Sequence, residues 1–297
     1  MFTLKTGDKV GIISPASALE ESDISAGLAY LKQNGLIPVL GNHAKSQYRY
    51  MGGTDSERAQ DIMDFFCNPE IKALFCTRGG AGSLRLLPYL DYEIIKQNPK
   101  PVFGLSDITA LQNALYAKTK NISYSGFLLV YDFRNGSVNP MQNKDLQHIF
   151  RGESLEYHSG QTASTGATEG ILLGGNIAAF NMLCGTPYFP DLRNKILLLE
   201  DVGIKSYQLD MMLQQLKLQN GFSQIKGLIF GQFSNIRIVD ECDGTIEDNI
   251  RYFCENLNIP VIMNFEYGHI PARHILPIGA KIHMNADKCL IRTLTDN

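Results

Sequence analysis

The chain has 297 residues, 44% of them apolar and 19% charged, with a formal net charge of -3. That length supports one large or two medium buried cores, and without any Lys/Arg cluster the composition argues against nucleic acid or anionic membrane as a main partner. The six cysteines, Cys67, Cys76, Cys184, Cys242, Cys254 and Cys289, are scattered with no C-x-x-C pair, so neither a zinc knuckle nor a disulfide framework is indicated and buried free thiols are expected.

Met1 to Asp8 lacks the apolar core of a secretion signal, and no apolar run is long enough to cross a bilayer, so a cytoplasmic location is expected. Val10 to Ile13 predicts a short strand ending at Ser14-Pro15, and Asp23 then opens an amphipathic helix through Leu28 and Leu31 that stops at Asn34-Gly35. Leu36 to Leu40 is the next strand. Asp55 to Phe66 follows as a helix with Ile62, Phe65 and Phe66 on its apolar side, then Ile71 to Cys76 as a strand running into Arg78-Gly79-Gly80-Ala81-Gly82. After another helix, Pro101 to Phe103 closes a short buried strand, Ile108, Leu111 and Leu115 recur at helical spacing to about Lys118, and Ile122 to Ser125 is a further strand. Such alternation implies βαβ crossovers and a parallel sheet, whose ligands bind beyond the carboxyl ends of the strands. The Arg78 loop and the bend at Ser106 both follow strands, so both are expected on that edge.

Composition shifts after Tyr131: the segment to Glu169 is rich in Gly, Ser, Thr and Asn, with one short helical stretch around Gln142 to Phe150. This divides the chain into an N-terminal α/β domain (1–135), a connector (136–168) and a smaller mixed α/β C-terminal domain (169–297). In the last of these, Gly170 to Asn176 precedes a helix to about Cys184, and Lys195 to Leu199 is an apolar strand ending at Glu200-Asp201-Val202-Gly203. A helix from Tyr207 to Leu218, a strand from Gly227 to Gly231, a helix from Ile246 to Leu257 and a strand at Val261 to Met263 follow. Ala280 to Met284 and Cys289 to Arg292 predict a closing hairpin.

Gly104-Leu105-Ser106-Asp107-Ile108-Thr109 puts one serine on a sharp bend between a strand and a helix, beside backbone N–H groups that point at developing negative charge. The same serine also reads as a plain helix N-cap, with Asp107 suited to the first turn. A serine nucleophile needs a base, and a histidine base needs an orienting acid. His269, in Tyr267-Gly268-His269-Ile270-Pro271, is the best placed of six histidines; His274 is the runner-up, while His43, His148, His158 and His283 read as surface or structural. Glu200 ends an apolar run and would hold a partly desolvated carboxylate that needs a partner, although Glu200-Asp201-Val202-Gly203 also reads as a polar turn. Arg78 to Gly82 lacks the lysine of a P-loop and follows the third strand rather than the first, which disfavours nucleotide binding there.

Taken in order, Arg78-Gly79-Gly80-Ala81-Gly82, Gly104-Leu105-Ser106-Asp107, Gly174-Gly175-Asn176, Glu200-Asp201-Val202-Gly203, Gly268-His269 and Pro277-Ile278-Gly279 resemble the LD-carboxypeptidases, the serine peptidase family that also includes the microcin C immunity peptidases. The resemblance covers nearly the whole chain. It implies Ser106 as nucleophile, His269 as general base and acid, Glu200 orienting the imidazole, and an oxyanion hole from the N–H groups of Gly80 and Asp107. It further implies Arg78 and Asn176 on the substrate, an N-terminal domain like that of class I glutamine amidotransferases, and a homodimer. Two positions depart from the family pattern: Ala81 stands where tyrosine is common, and Leu105 where an aromatic is frequent. They bear on substrate preference more than on the triad.

The function implied is a metal- and cofactor-independent serine carboxypeptidase that releases the terminal D-alanine of murein tetrapeptides in cell-wall peptide recycling. Two alternatives stay open: an immunity-type hydrolase of peptidyl- or aminoacyl-nucleotides, and a noncatalytic small-molecule binding module.

Overall fold

Two sheets organise the chain in the computed structural model, which describes residues 2–19 and 24–294. In the first half Lys9–Ile13 (β1), Ser25–Gln33 (α1), Ile37–Leu40 (β2), Asp55–Cys67 (α2), Ile71–Cys76 (β3), Tyr92–Gln97 (α3), Val102–Gly104 (β4), Ile108–Thr119 (α4) and Ser123–Ser125 (β5) alternate as the sequence predicts. A 3-10 segment, Ser83–Tyr89, intervenes between β3 and α3. The expected helix start at Asp23 lies outside the described residues. These strands are parallel in the order β5-β4-β3-β1-β2.

Local chemistry accounts for the elements that carry the site. Helix α2 starts in a reciprocal capping box, with Thr54 accepting from the Glu57 N–H while the Glu57 carboxylate accepts from the Thr54 N–H. Its Ile62, Phe65 and Phe66 are buried. The central strands β3 and β4 are covered on both faces and are therefore almost continuously apolar. Phe75 and Phe103 stack on one face with ring centroids 4.3 Å apart, and Phe150 meets both edge-on.

Phe150 belongs to Pro140–Arg151 (α5), so the region read as a connector covers part of the first sheet. Its remainder supplies Glu156–His158 (β6) and Gln161–Ser164 (β7) to the second sheet. That sheet also holds Ala167–Asn176 (β8), followed by Ile177–Asn181 (α6) and Lys195–Glu200 (β9). Ser206–Lys217 (α7), Gly227–Phe230 (β10), Ile246–Cys254 (α8) and Val261–Met263 (β11) come next. Strands β8 to β11 are parallel, and β7 runs antiparallel at one margin.

Leu276–Ile278 (β12) then leaves the second sheet and pairs antiparallel with β5, extending the first. The predicted hairpin is present as Lys281–Asn285 (β13) and Leu290–Thr293 (β14), with β13 on β8 and β14 on β6. The segment between β11 and β12, which carries His269, is consequently held by one sheet at its start and by the other at its end. All six cysteines are free, but against expectation only Cys76 is buried; Cys67 and Cys242 are exposed, because they sit at a helix end and in a surface turn. No helix among the described residues is long and apolar enough to cross a membrane.

Candidate active site

Ser106 follows β4 directly and has φ +67°, a left-handed conformation that a serine adopts only under constraint. It does not cap α4. Asp107 occupies the N-cap position, and no side chain there caps the helix. Among the described residues the Ser106 hydroxyl makes no hydrogen bond, so the half-buried Oγ is uncommitted.

The opposite wall is the Gly79–Gly82 loop. A Cβ on Gly79 would lie 2.9 Å from Ser106 Cβ, so the loop approaches the bend only because a side chain is missing. At Gly80 the backbone has φ +109°, and an added Cβ would collide with Ser17 Oγ. Ser17 holds this loop from behind: its N–H donates to the Gly79 carbonyl at 3.2 Å, and its Oγ accepts from the Ala81 N–H at 3.2 Å. The N–H groups of Gly80 and Asp107 donate to no other group among the described residues, as oxyanion donors require.

Two polar clamps, neither evident from the sequence, fix these loops. Ser83 donates its N–H to Asp107 Oδ2 at 2.8 Å and its hydroxyl to the Asp107 carbonyl, tying the Ser106 bend to the end of the glycine loop. Burial pushes the Asp107 carboxyl above its ordinary range, while the Ser83 hydrogen bonds oppose that rise. Arg58, fully buried on α2, donates to the carbonyls of Gly53 at 3.1 Å, Gly82 at 3.1 Å and Pro15, and pairs with Asp55 at 2.6 Å. Its guanidinium therefore joins the Ser17 loop to the glycine loop. Arg58→Met would leave those carbonyls without their donor, while Asp55 kept Arg85 at 2.7 Å. A loss of roughly 3–5 kcal/mol in stability is expected by denaturant titration. An unchanged midpoint would show that the clamp is not needed.

Glu200 ends β9 with no solvent exposure. Its Oε2 lies 2.8 Å from His269 Nδ1, and its Oε1 accepts from Asn176 Nδ2 at 3.3 Å. A carboxylate accepts, so Nδ1 carries a hydrogen, and in the neutral form of the ring Nε2 is the nitrogen that keeps the lone pair. His269 and Ser106 line one cavity of about 150 Å³ together with Arg78, Gly79, Gly80 and Tyr131. They are not hydrogen-bonded to each other, a looseness common before substrate binds. An imidazole so oriented, a hydroxyl and the Gly80 backbone on one cavity, with the Asp107 N–H next to Ser106 in the chain, are the groups that acyl transfer needs.

The remaining expected residues divide. Arg78 lines the cavity, with one guanidinium nitrogen donating to the Ala18 carbonyl at 3.0 Å. Asn176 lies behind the acid: its Oδ1 caps α6 by accepting from the Ala179 N–H, and its Nδ2 donates to Glu200 and to Asp201 Oδ1. It is buried and does not line that cavity, its amide being committed to Glu200 and Asp201. His274 is directed elsewhere, bonded to Asp145 at 3.0 Å and against the Tyr157 ring. Sequence reading missed Tyr131 and Arg134, both cavity residues. Tyr131 brings an aromatic ring to the cavity, 6.3 Å from His269 and edge-on to it. Helix α4 is stitched to β8 as well, by Asn113 with Gly174 and by Thr109 Oγ1 with the Asn176 N–H at 3.0 Å. These bonds fix Ser106 relative to Glu200 across the two sheets.

Fold and site together define a two-domain α/β hydrolase. The chain belongs to the LD-carboxypeptidase family, peptidase family S66: its N-terminal domain profile matches residues 10–126 and its C-terminal domain profile residues 169–284. Among relatives, a probable murein peptide carboxypeptidase of Bacillus subtilis (strain 168) is 32% identical over 287 residues, covering 95% of this chain and 90% of that protein. The solved muramoyltetrapeptide carboxypeptidase of Oxalobacter formigenes is 27% identical with a TM-score of 0.88, covering 96% of this chain and 97% of its own. The microcin C7 self-immunity protein MccF, as a variant in complex with adenosine monophosphate, superposes with a TM-score of 0.90 at 25% identity, over 99% of this chain and 98% of its own.

Proposed function

We propose that the protein is a serine-type LD-carboxypeptidase that releases terminal D-alanine from murein tetrapeptides, with residues 1–135 contributing the nucleophile and 169–297 the acid and base. The observation that carries this reading is the buried Glu200–His269 pair at 2.8 Å, presented to the same cavity as Ser106. Ser106 Oγ bonds to the carbonyl carbon preceding D-alanine while its proton passes to His269 Nε2. The oxyanion is met by the Gly80 and Asp107 N–H groups, and the C–N bond breaks as the imidazolium protonates the leaving amine. Water, deprotonated by the same nitrogen, then attacks the ester, and the serine recovers its proton. The murein substrate is supported by the names of the Bacillus and Oxalobacter relatives. Cytoplasmic location and a homodimer belong to the same reading.

A second reading, cleavage of an aminoacyl- or peptidyl-nucleotide, draws on the likeness to MccF. Purified protein is therefore offered a defined L-Ala-γ-D-Glu-meso-diaminopimelyl-D-Ala peptide and an aminoacyl sulfamoyl adenosine in parallel, with products read by mass spectrometry. Loss of one alanine from the peptide supports the first reading, and cleavage of only the nucleotide conjugate supports the second. Reaction of neither would favour a noncatalytic binding module. Among the described residues no three His, Cys, Asp or Glu side chains converge on a metal site. Exhaustive chelation is accordingly expected to leave turnover unchanged; loss restored by zinc would overturn the serine mechanism.

A further inference from the structure

Among the described residues both arginines on the Ser106 cavity, Arg78 and Arg134, lack a carboxylate partner, and no described acidic side chain lines that cavity. Two guanidinium groups on the cavity that holds Ser106 suit an anion on the substrate. The two differ in how free they are. Arg78 already donates to the Ala18 carbonyl at 3.0 Å. Arg134 is exposed and its side chain makes no hydrogen bond among the described residues; its guanidinium carbon lies 4.8 Å from the centroid of the Tyr131 ring. Arg273 also lies over that ring, at 4.9 Å, but it is buried and committed to Asp132 and to the carbonyls of Gly126 and Ile270.

Direction follows from His269. In the proposed reaction its Nε2 delivers a proton to the leaving amine, so the leaving residue must lie beside the imidazole. Tyr131 packs edge-on against that ring at 6.3 Å and carries Arg134 on it. We propose that Arg134, held on Tyr131, is the specificity-determining residue that binds the carboxylate of the departing amino acid through its two-pronged guanidinium. The inference rests on the carboxypeptidase reading and deepens it. At about 150 Å³ the cavity has the volume of roughly five liquid waters, which suits a small leaving residue. Tyr131 and Arg134 also line an adjoining cavity of about 340 Å³ that Ser137, Asn139 and Arg273 share.

The test uses two peptides identical except at the end, one finishing in D-alanine and the other in D-alaninamide. Wild-type protein should prefer the free carboxylate. Arg134→Ala should lower kcat/KM for it by about 10- to 100-fold, mainly through KM, as loss of a charged hydrogen-bonding partner does, while the amide peptide changes by less than about threefold. Arg134→Lys, which keeps the charge but not the fork, should fall between them. The thermal midpoint of Arg134→Ala should match wild type, because the side chain is exposed. The proposal is overturned if Arg134→Ala keeps the wild-type preference, or if Arg78→Ala removes that preference and Arg134→Ala does not. Wild-type protein that releases neither D-alanine nor D-alaninamide would overturn the carboxypeptidase reading itself, a failure distinct from the other two.

Discussion

Ser106→Ala is expected to fold normally and to turn over the murein tetrapeptide at least about a thousandfold more slowly, as removal of a triad nucleophile does. The folded state should scarcely notice. Among the described residues the Ser106 hydroxyl makes no hydrogen bond, and alanine meets the same backbone constraint at φ +67° as serine does. The unfolding free energy should therefore move by no more than about 0.5 kcal/mol. Near-normal kcat in a variant of wild-type stability would remove Ser106 from the chemistry.

Glu200→Gln is expected to be almost as damaging, by about a thousandfold or more, and the local hydrogen-bond inventory gives the reason. The carboxylate faces two donors: the Nδ1–H of His269 at 2.8 Å and the Asn176 Nδ2–H at 3.3 Å. A glutamine offers one acceptor oxygen and one amide nitrogen. If its nitrogen turns to His269, Nδ1 must become the acceptor, the hydrogen moves to Nε2, and that nitrogen can no longer take the Ser106 proton. If its nitrogen turns to Asn176, two donors face each other in a fully buried place, and the imidazolium loses its counter-charge. Asp201→Asn makes a poor control, because Asp201 also accepts from Val202 and Ala178 and burial already raises its carboxyl. His274→Ala serves better, since that ring is turned to Asp145, and turnover per folded molecule should persist. The Ser106→Ala, Glu200→Gln double variant should be scarcely slower than Ser106→Ala alone. Additive losses would mean that the two residues do not work as one unit.

The elements that position this site were largely legible in the sequence because each depends on near neighbours. Ile71 to Cys76 and Lys195 to Glu200 are apolar runs whose length and ends mark buried parallel strands. The Ser106 bend is announced by a strand ending at Gly104 and a helical period beginning at Ile108. What stayed hidden depends on contacts between distant parts of the chain. Nothing local to Arg58 says that its guanidinium holds Pro15 and Gly82, and nothing near Leu276–Ile278 says that the strand returns to the first sheet. Asn176 was legible as a motif member but not in direction: only the fold turns its amide toward Glu200 and Asp201. Tyr131 and Arg134 close the N-terminal domain as the sequence divides it, outside any motif, so their placement on the cavity had no local signal.

Acylation of Ser106 during turnover is the claim on which the account stands. Wild-type protein mixed with the tetrapeptide, quenched in acid on the millisecond scale and mapped by peptide mass spectrometry is predicted to carry the tripeptide acyl group on the fragment containing Gly104 to Thr109. The adduct should localise to Ser106 and be absent from Ser106→Ala. An acyl group on any other residue, or full turnover in Ser106→Ala, would contradict it.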